Sequence, residues 1–311
     1  MDTWRSAAPG EKLRGAIRVP GTDVEIPFTV ARGPSDGPTV LVSGGVHGGE
    51  YPGIAAAVSV ARRLDAAGLR GTVIVLHLTN PPAFWGKSQY WNPLDGKNLN
   101  RCFPGDPEGS ASERMAAAVT EIAKSADYWI DMHGGDIHEA LVPFATYADL
   151  GTAEVRETAH RMAAAYGIPR LLVSSGFAGG TFETGAQLGK PAILAEAGQM
   201  GQLDPDSERT HVEGVENVLR LVGVLPGDAV RHAEPVVYTD SIWSRAAAPG
   251  FWRCAVHAGD QVAEGDLVGT LTDVYGDLLQ EVTAPQSGEV LFVATSYAIG
   301  ADDPLFAVAV R

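Results

Sequence analysis

Short apolar, β-branched runs alternate with stretches of helical apolar spacing through most of this chain, and that alternation admits few folds. Thr39-Val40-Leu41-Val42 is followed by residues 51–67 with helical spacing, and Thr72 to Leu76 reads as the next strand. A helix is predicted over 110–125, with Ser110 and Glu113 placed as a capping box, and a strand over Tyr128 to Met132. Residues 152–166 and 206–223 read as helices, Arg170 to Val173 and Ala192 to Ala195 as strands. Buried strands spaced by helices predict an α/β fold, a mostly parallel sheet flanked by helices on both faces. Ala16 to Val19 and Val24 to Ile26 read as edge strands ahead of it. From about residue 230 the helical patterns stop, and short β-type runs with Gly and Pro take over: Glu234 to Tyr238, Gly269 to Leu271, Glu289 to Phe292. The expected organisation is an α/β domain over 1–228 and an all-β domain over 229–311, joined near Pro226-Gly227-Asp228.

Composition narrows the partners. Lys and Arg number 23 against 38 Asp and Glu, a formal charge of −15. Such a chain is a poor general binder of nucleic acid or of anionic membrane. Its 311 residues are enough to bury roughly 75% of the unfolded surface, so no disulfide staple is needed. Cys102 and Cys254 fit no zinc-knuckle or redox spacing and suit a reducing cytoplasm. No apolar run follows Met1 to Arg5 as a secretory leader would require. The most apolar helical stretch, Ile54 to Ala61, stops at Arg62-Arg63, short of the ~20 residues of a membrane span.

Metal-ligand residue types stand where the predicted strands end. Gly44-Gly45-Val46-His47-Gly48-Gly49-Glu50 follows the first, Asp131-Met132-His133-Gly134-Gly135 closes the third, and Glu196-Ala197-Gly198 follows Ala195. Ligands of open α/β sheets bind beyond the carboxyl ends of strands, so His47, Glu50, His133 and Glu196 are directed to one edge. Taken alone, His47 and Glu50 read equally as a solvated turn, His133 as a satisfied core histidine and Glu196 as a turn carboxylate. Four glycines around one histidine favour a backbone that bends sharply or admits a substrate. Two histidines and one carboxylate with an open position make a common catalytic zinc set, which lowers the pKa of water and polarises a carbonyl. Asp131 is placed to orient a histidine ring. Glu196 would be the proton-transfer carboxylate. Within the loop-like Asn92 to Gly105, Asn100 and Arg101 offer a directional hydrogen bond and a planar fork for a carboxylate or an oxyanion.

Gly-Gly-Val-His-Gly-Gly-Glu (44–50), Asn-Leu-Asn-Arg-Cys-Phe-Pro-Gly (98–105), Asp-Met-His-Gly-Gly (131–135) and Glu-Ala-Gly (196–198), in this order, resemble the succinylglutamate desuccinylase/aspartoacylase family of the zinc carboxypeptidase superfamily. The resemblance implies a carboxypeptidase-like α/β domain, one Zn2+ per subunit and hydrolysis of the amide of a small N-acylated molecule. It implies zinc ligands His47, Glu50 and His133, with Glu196 as general base and acid. It further implies Arg101 as the group that steadies the oxyanion and Asn100 as a contact to a substrate carboxylate. Family members are often oligomeric, which leaves a homo-oligomer open.

Aspartoacylase-like members carry a further arginine several residues before the Asn-Arg pair. Here Trp85 to Pro93 holds none; Lys87 is its one cation, among Trp85, Tyr90 and Trp91. A substrate less acidic, bulkier or more apolar than an acyl-aspartate is therefore expected, with Lys87 as a candidate contact. The tail, through His257 to Val262, Glu264 to Gly269 and Ala284 to Val290, resembles a biotinyl/lipoyl-type barrel-sandwich hybrid, yet no lysine follows Lys190 to carry a swinging arm. The resemblance implies that the tail borders the pocket, with Tyr275 as a candidate substrate contact. A metallocarboxypeptidase of short peptides and a non-catalytic metal-binding homologue remain the alternatives.

Overall fold

The computed structural model describes residues 3–176 and 178–311; Met1 and Asp2, part of the stretch read for a leader, and Phe177 lie outside them. Among the described residues, the first part of the chain builds a nine-stranded sheet. Its strands are β1 (Lys12–Arg18), β2 (Glu25–Arg32), β3 (Ser35–Gly44), β4 (Arg70–Leu76), β5 (Tyr128–His133), β7 (Phe144–Ala148), β8 (Arg170–Ser174), β9 (Ala192–Glu196) and β10 (Val236–Tyr238), with β6 (Glu139–Leu141) lying outside it. The order is β1-β2-β4-β3-β5-β9-β7-β8-β10. β4, β3, β5 and β9 run parallel, as do β7, β8 and β10; β1, β2 and the β7–β9 pair are antiparallel. The sheet is thus mixed and mostly parallel. β2 is not an edge strand as expected: β4 covers its second side.

Helices cover both faces. α1 (Tyr51–Arg63), α4 (Ala153–Ala165) and α6 (Pro205–Leu221) pack on one, where Val60, Met162 and Val215 meet Val42 and Ile130. On the other lie α3 (Ala111–Ser125) and α5 (Thr181–Gln187), which put Met115, Val119 and Phe182 against Leu41, Ile74 and Trp129. The expected start of α3 holds: the Glu113 carboxylate accepts the Ser110 N–H at 2.8 Å. α1 stops at Arg63 rather than 67, and Asp65 caps a separate short turn there. The short helix α2 (Pro81–Gly86) is capped by Asn80.

The tail is a pair of antiparallel sheets around Trp252, Val268, Leu271 and Phe306, and it closes no barrel. One contains β11 (Asp240–Arg245), β13 (Gln261–Val262), β16 (Gly288–Ala294) and β18 (Pro304–Val310); the other has β12 (Gly250–Cys254), β14 (Leu267–Thr272), β15 (Leu278–Thr283) and β17 (Ala298–Ile299). The two parts exchange strands. β6 pairs with β16, and β10, beyond the expected junction, joins β8 of the large sheet.

Candidate metal centre and active site

The three central parallel strands β3, β5 and β9 are neighbours, and their carboxyl ends carry the candidate residues. Gly44 stands beside Met132 and His133 beside Glu196 in the register. The loop after β3 turns through His47 to Glu50, the N-cap residue of α1. Its close packing accounts for two of the glycines: a Cβ at Gly48 would sit 2.3 Å from the Phe84 nitrogen, and one at Gly49 would sit 1.8 Å from Asp136 Oδ1.

His47, Glu50 and His133 offer ligand atoms that all lie within 4.8 Å of one another. The Nδ1 of His47 is 2.6 Å from Glu50 Oε1, and the Nδ1 of His133 is 2.9 Å from Glu50 Oε2. Both Nε2 atoms face acceptors: Asn98 Oδ1 at 3.0 Å and Asp131 Oδ2 at 2.8 Å. Asn98 Oδ1 also accepts the Asn100 N–H at 2.8 Å, which fixes the amide's orientation. Each Nε2 therefore carries a hydrogen, and each Nδ1 is the free ligand atom. A carboxylate between two such nitrogens needs positive charge beside it, supplied either by protons on the rings or by a cation. Burial opposes that charge on His47 and His133, but Glu50, and for His133 first Asp131, outweigh it and raise both pKa values. Burial likewise works against Glu50, yet the two histidines hold it down at about 2. Two imidazole nitrogens and a carboxylate oxygen fit Zn2+ or a similar divalent ion.

Asp131 is the hub behind the site. It accepts hydrogen bonds from His133, from Ser43 Oγ at 2.6 Å and from Thr181 Oγ1 at 2.6 Å, all buried. Trp129 Nε1 donates in turn to Ser43 Oγ at 2.8 Å. The expected orienting role of Asp131 is thus visible; the parts of Asn98 and Thr181 were not read from the sequence, because their partners lie tens of residues away. His211 was missed for the same reason. Its Nε2 donates to the carbonyls of His133 at 2.9 Å and Ala197 at 3.2 Å, and its Nδ1 accepts from Tyr166 at 2.8 Å. Burial pushes His211 down to about 4, so the ring is neutral.

Glu196 is half-buried at the end of β9, and its Oε2 is shielded with no hydrogen-bond partner among the described residues. Burial first, then the charge of Glu50, push it up to about 8. Asn100 is buried and its Oδ1 accepts the Thr181 N–H at 3.0 Å. Arg101 is exposed on the same turn, where its Nη1 donates to the Asn100 carbonyl at 2.7 Å. The structure does not gather the other two candidates. Lys87 stands exposed as the C-cap of α2, with a left-handed φ of 50°, and no hydrogen bond or ion pair ties it to the metal-binding set. Tyr275 is 88% exposed at the tip of the β14–β15 hairpin. Of the loop aromatics, Tyr90 turns inward, its ring 6.3 Å from that of His47, while Trp85 stays 75% exposed. The tail walls the neighbouring space: Phe292, Ser296 and Asp303 face Tyr90 and Glu139 across a small cavity.

This architecture is shared with known proteins. A family model for the succinylglutamate desuccinylase/aspartoacylase catalytic domain matches residues 36–222. The chain is 33% identical over 271 residues to the N-alpha-acetyl-L-2,4-diaminobutyric acid deacetylase of Halomonas elongata, covering 85% of this chain and 77% of that one. It is similar to the product-bound structure of the ectoine utilization protein EutE (DoeB) from Ruegeria pomeroyi: TM-score 0.88, 27% identity, 98% of each chain covered. It is also similar to a succinylglutamate desuccinylase/aspartoacylase from Rhodobacter sphaeroides, with TM-score 0.84, 29% identity and coverage of 96% of this chain and 95% of that one.

Proposed function

Since the chain belongs to the succinylglutamate desuccinylase/aspartoacylase family, we propose that it is a zinc-dependent deacylase that hydrolyses the amide bond of an N-acylated amino acid or a similar small molecule. The observation that carries this is the convergence of His47 Nδ1, Glu50 and His133 Nδ1, with Glu196 at the end of the adjacent strand. His47, Glu50 and His133 would hold one Zn2+ per subunit. When bound, the ion supplies Lewis acidity toward a carbonyl and toward water, and its charge draws the pKa of Glu196 down toward neutrality.

The chain's own groups divide the rest of the work. Glu196, with one oxygen unengaged, takes a proton from the attacking water and delivers it to the departing amine nitrogen. Arg101 donates to the oxyanion that forms when the acyl carbonyl is attacked, a fixed charge aimed at developing charge. Asn100 has its amide oxygen committed to Thr181, which leaves the amide nitrogen for a substrate carboxylate. The relative from Halomonas elongata is named for an acetylated diamino acid, which supports N-acyl amino acids as the substrate class. Free Cys102 and Cys254 support a cytoplasmic enzyme, and no helix among the described residues is long and apolar enough to cross a membrane.

Loaded with zinc, the protein is expected to hydrolyse N-acetylated amino acids and to leave short peptides uncut. Glu196→Gln is expected to keep its metal and to lose about 10²–10⁴ in kcat. Removal of C-terminal residues from peptides without deacylation, or full turnover by the variant, would overturn the reading.

A further inference from the structure

A cavity of about 340 Å³ lies at the edge of the large sheet opposite the metal-binding set. β3 and β4 both start there, whereas ligands of open α/β sheets bind beyond the other ends of the strands. Three of its residues form one row across the sheet. Arg32 on β2 is the register partner of Thr72 on β4, and Thr72 is in turn the partner of Thr39 on β3. Cross-strand partners point to one face with their Cβ atoms about 5 Å apart, so a guanidinium and two hydroxyls stand side by side. The next row inward, Val30 and Ile74, is buried and gives the cavity an apolar floor. β3 is bulged where it borders the cavity: from Ser35 to Thr39 it advances four residues while β4 advances two, from Arg70 to Thr72.

Both arginines of the lining are held in place. The Arg5 guanidinium lies over the Trp4 ring, 4.5 Å from its centroid, which fixes the plane of its fork. Arg32 is half-buried; its Nη1 donates to the Ala7 carbonyl at 3.2 Å, and no carboxylate pairs with it among the described residues. That hydrogen bond uses one of the five N–H groups of a guanidinium. The lining carboxylate is that of Asp36, which is exposed, and the nearby Asp127 carboxylate is engaged by the Thr39 N–H at 2.8 Å. Two guanidiniums against one carboxylate make this lining positive in a chain whose net charge is −15.

We infer that this cavity binds a small organic anion, its carboxylate or phosphate head on Arg32 and the Thr39 and Thr72 hydroxyls, its short apolar body on Val30 and Ile74. A planar fork beside two hydroxyls matches the oxygens of either head group. The volume stands at the low end of the roughly 300–1,000 Å³ of small-molecule pockets. The site is separate from the metal centre: from Thr39 to Gly44, β3 spans about 17 Å before the histidine loop begins. Binding here is therefore independent of the deacylase reading.

The indole N–H resonance of Trp4, identified by its loss in Trp4→Phe, reports on this cavity, and an anion captured at the metal leaves it unmoved. Zinc-loaded protein is titrated with butyrate, butyl phosphate and butylammonium at constant ionic strength. Both anions are expected to move the resonance saturably, with Kd about millimolar, and the tighter one names the head group. Butylammonium is expected to leave it in place. Arg32→Met is expected to weaken binding about tenfold or more, and the near-isosteric Thr72→Val several-fold. No saturable movement with either anion, equal movement with butylammonium, or an affinity undiminished in both variants would overturn the site.

Discussion

Glu50 occupies the N-cap of α1, yet its side chain caps nothing; the carboxylate is turned toward two histidines. A helix end is given up at that residue to gain a ligand position, and the metal-binding set inherits the rigidity of α1 in exchange. The gathering of His47, Glu50, His133 and Glu196 at one sheet edge could be read from the sequence because each stands at, or within a short loop of, the carboxyl end of a strand. Asn98, Thr181 and His211 could not, because the partners that tie them to the site lie far along the chain and no local pattern marks them. His211 gives the sharpest residue-scale prediction. His211→Ala leaves the carbonyls of His133 and Ala197 without their donor and Tyr166 without its acceptor. It is expected to cost about 3 kcal/mol in urea unfolding, the combined effect of a cavity and unsatisfied polar groups. A change below about 0.5 kcal/mol would show that the ring is not a structural pin.

At the level of elements, the site depends on β3, β5 and α5 being fastened at one carboxylate. Asp131 ties Ser43, His133 and Thr181 together, one from each element. Asp131→Asn keeps the volume but replaces one acceptor oxygen with a donor. It is expected to weaken metal affinity about 10–100-fold in a chelator competition, the usual cost of losing the partner that orients a ligating histidine. Unaltered affinity would mean that packing alone orients the His133 ring. The long periodic elements were legible: α3, α4 and α6, and the buried strands between them, lie within a few residues of their expected bounds. The short ones were not. β6 has only Glu139 to Leu141, and β7 is defined by its antiparallel pairing with β9, which local composition does not encode. α5 contains Gly185, where the approach of Ala192 leaves no space for a side chain, so packing overrides propensity there.

On the scale of the whole molecule, the tail was read correctly as β structure, but its strand exchange with the large sheet was not foreseen. One ion pair fastens the junction. Arg170 on β8 meets Glu289 on β16 through two hydrogen bonds of 2.7 and 3.0 Å, and the Tyr238 hydroxyl donates to the same carboxylate. Burial works against the charge of Glu289, but Arg170 and Tyr238 hold its pKa below the ordinary 4.5. A carboxyl depressed in this way contributes stability fully above that value and loses it as pH falls through the folded pKa. Arg170→Ala is expected to cost about 3 kcal/mol at pH 7, since it strands a buried carboxylate. The stability gap between the wild type and Glu289→Gln is expected to narrow as the pH is lowered below about 4.5. A gap independent of pH in denaturant titrations would show that the pair is energetically silent.

The pairing of β6 with β16 also sets an order of events during synthesis. Glu139, the first residue of β6, must wait for partners about 150 residues downstream to leave the ribosome. At the usual pace of translation that is roughly ten to thirty seconds during which the nascent chain holds its histidine loop but not the wall beside it. The wall that β6 and β16 form together is thus finished only after the residues of β16 have been made.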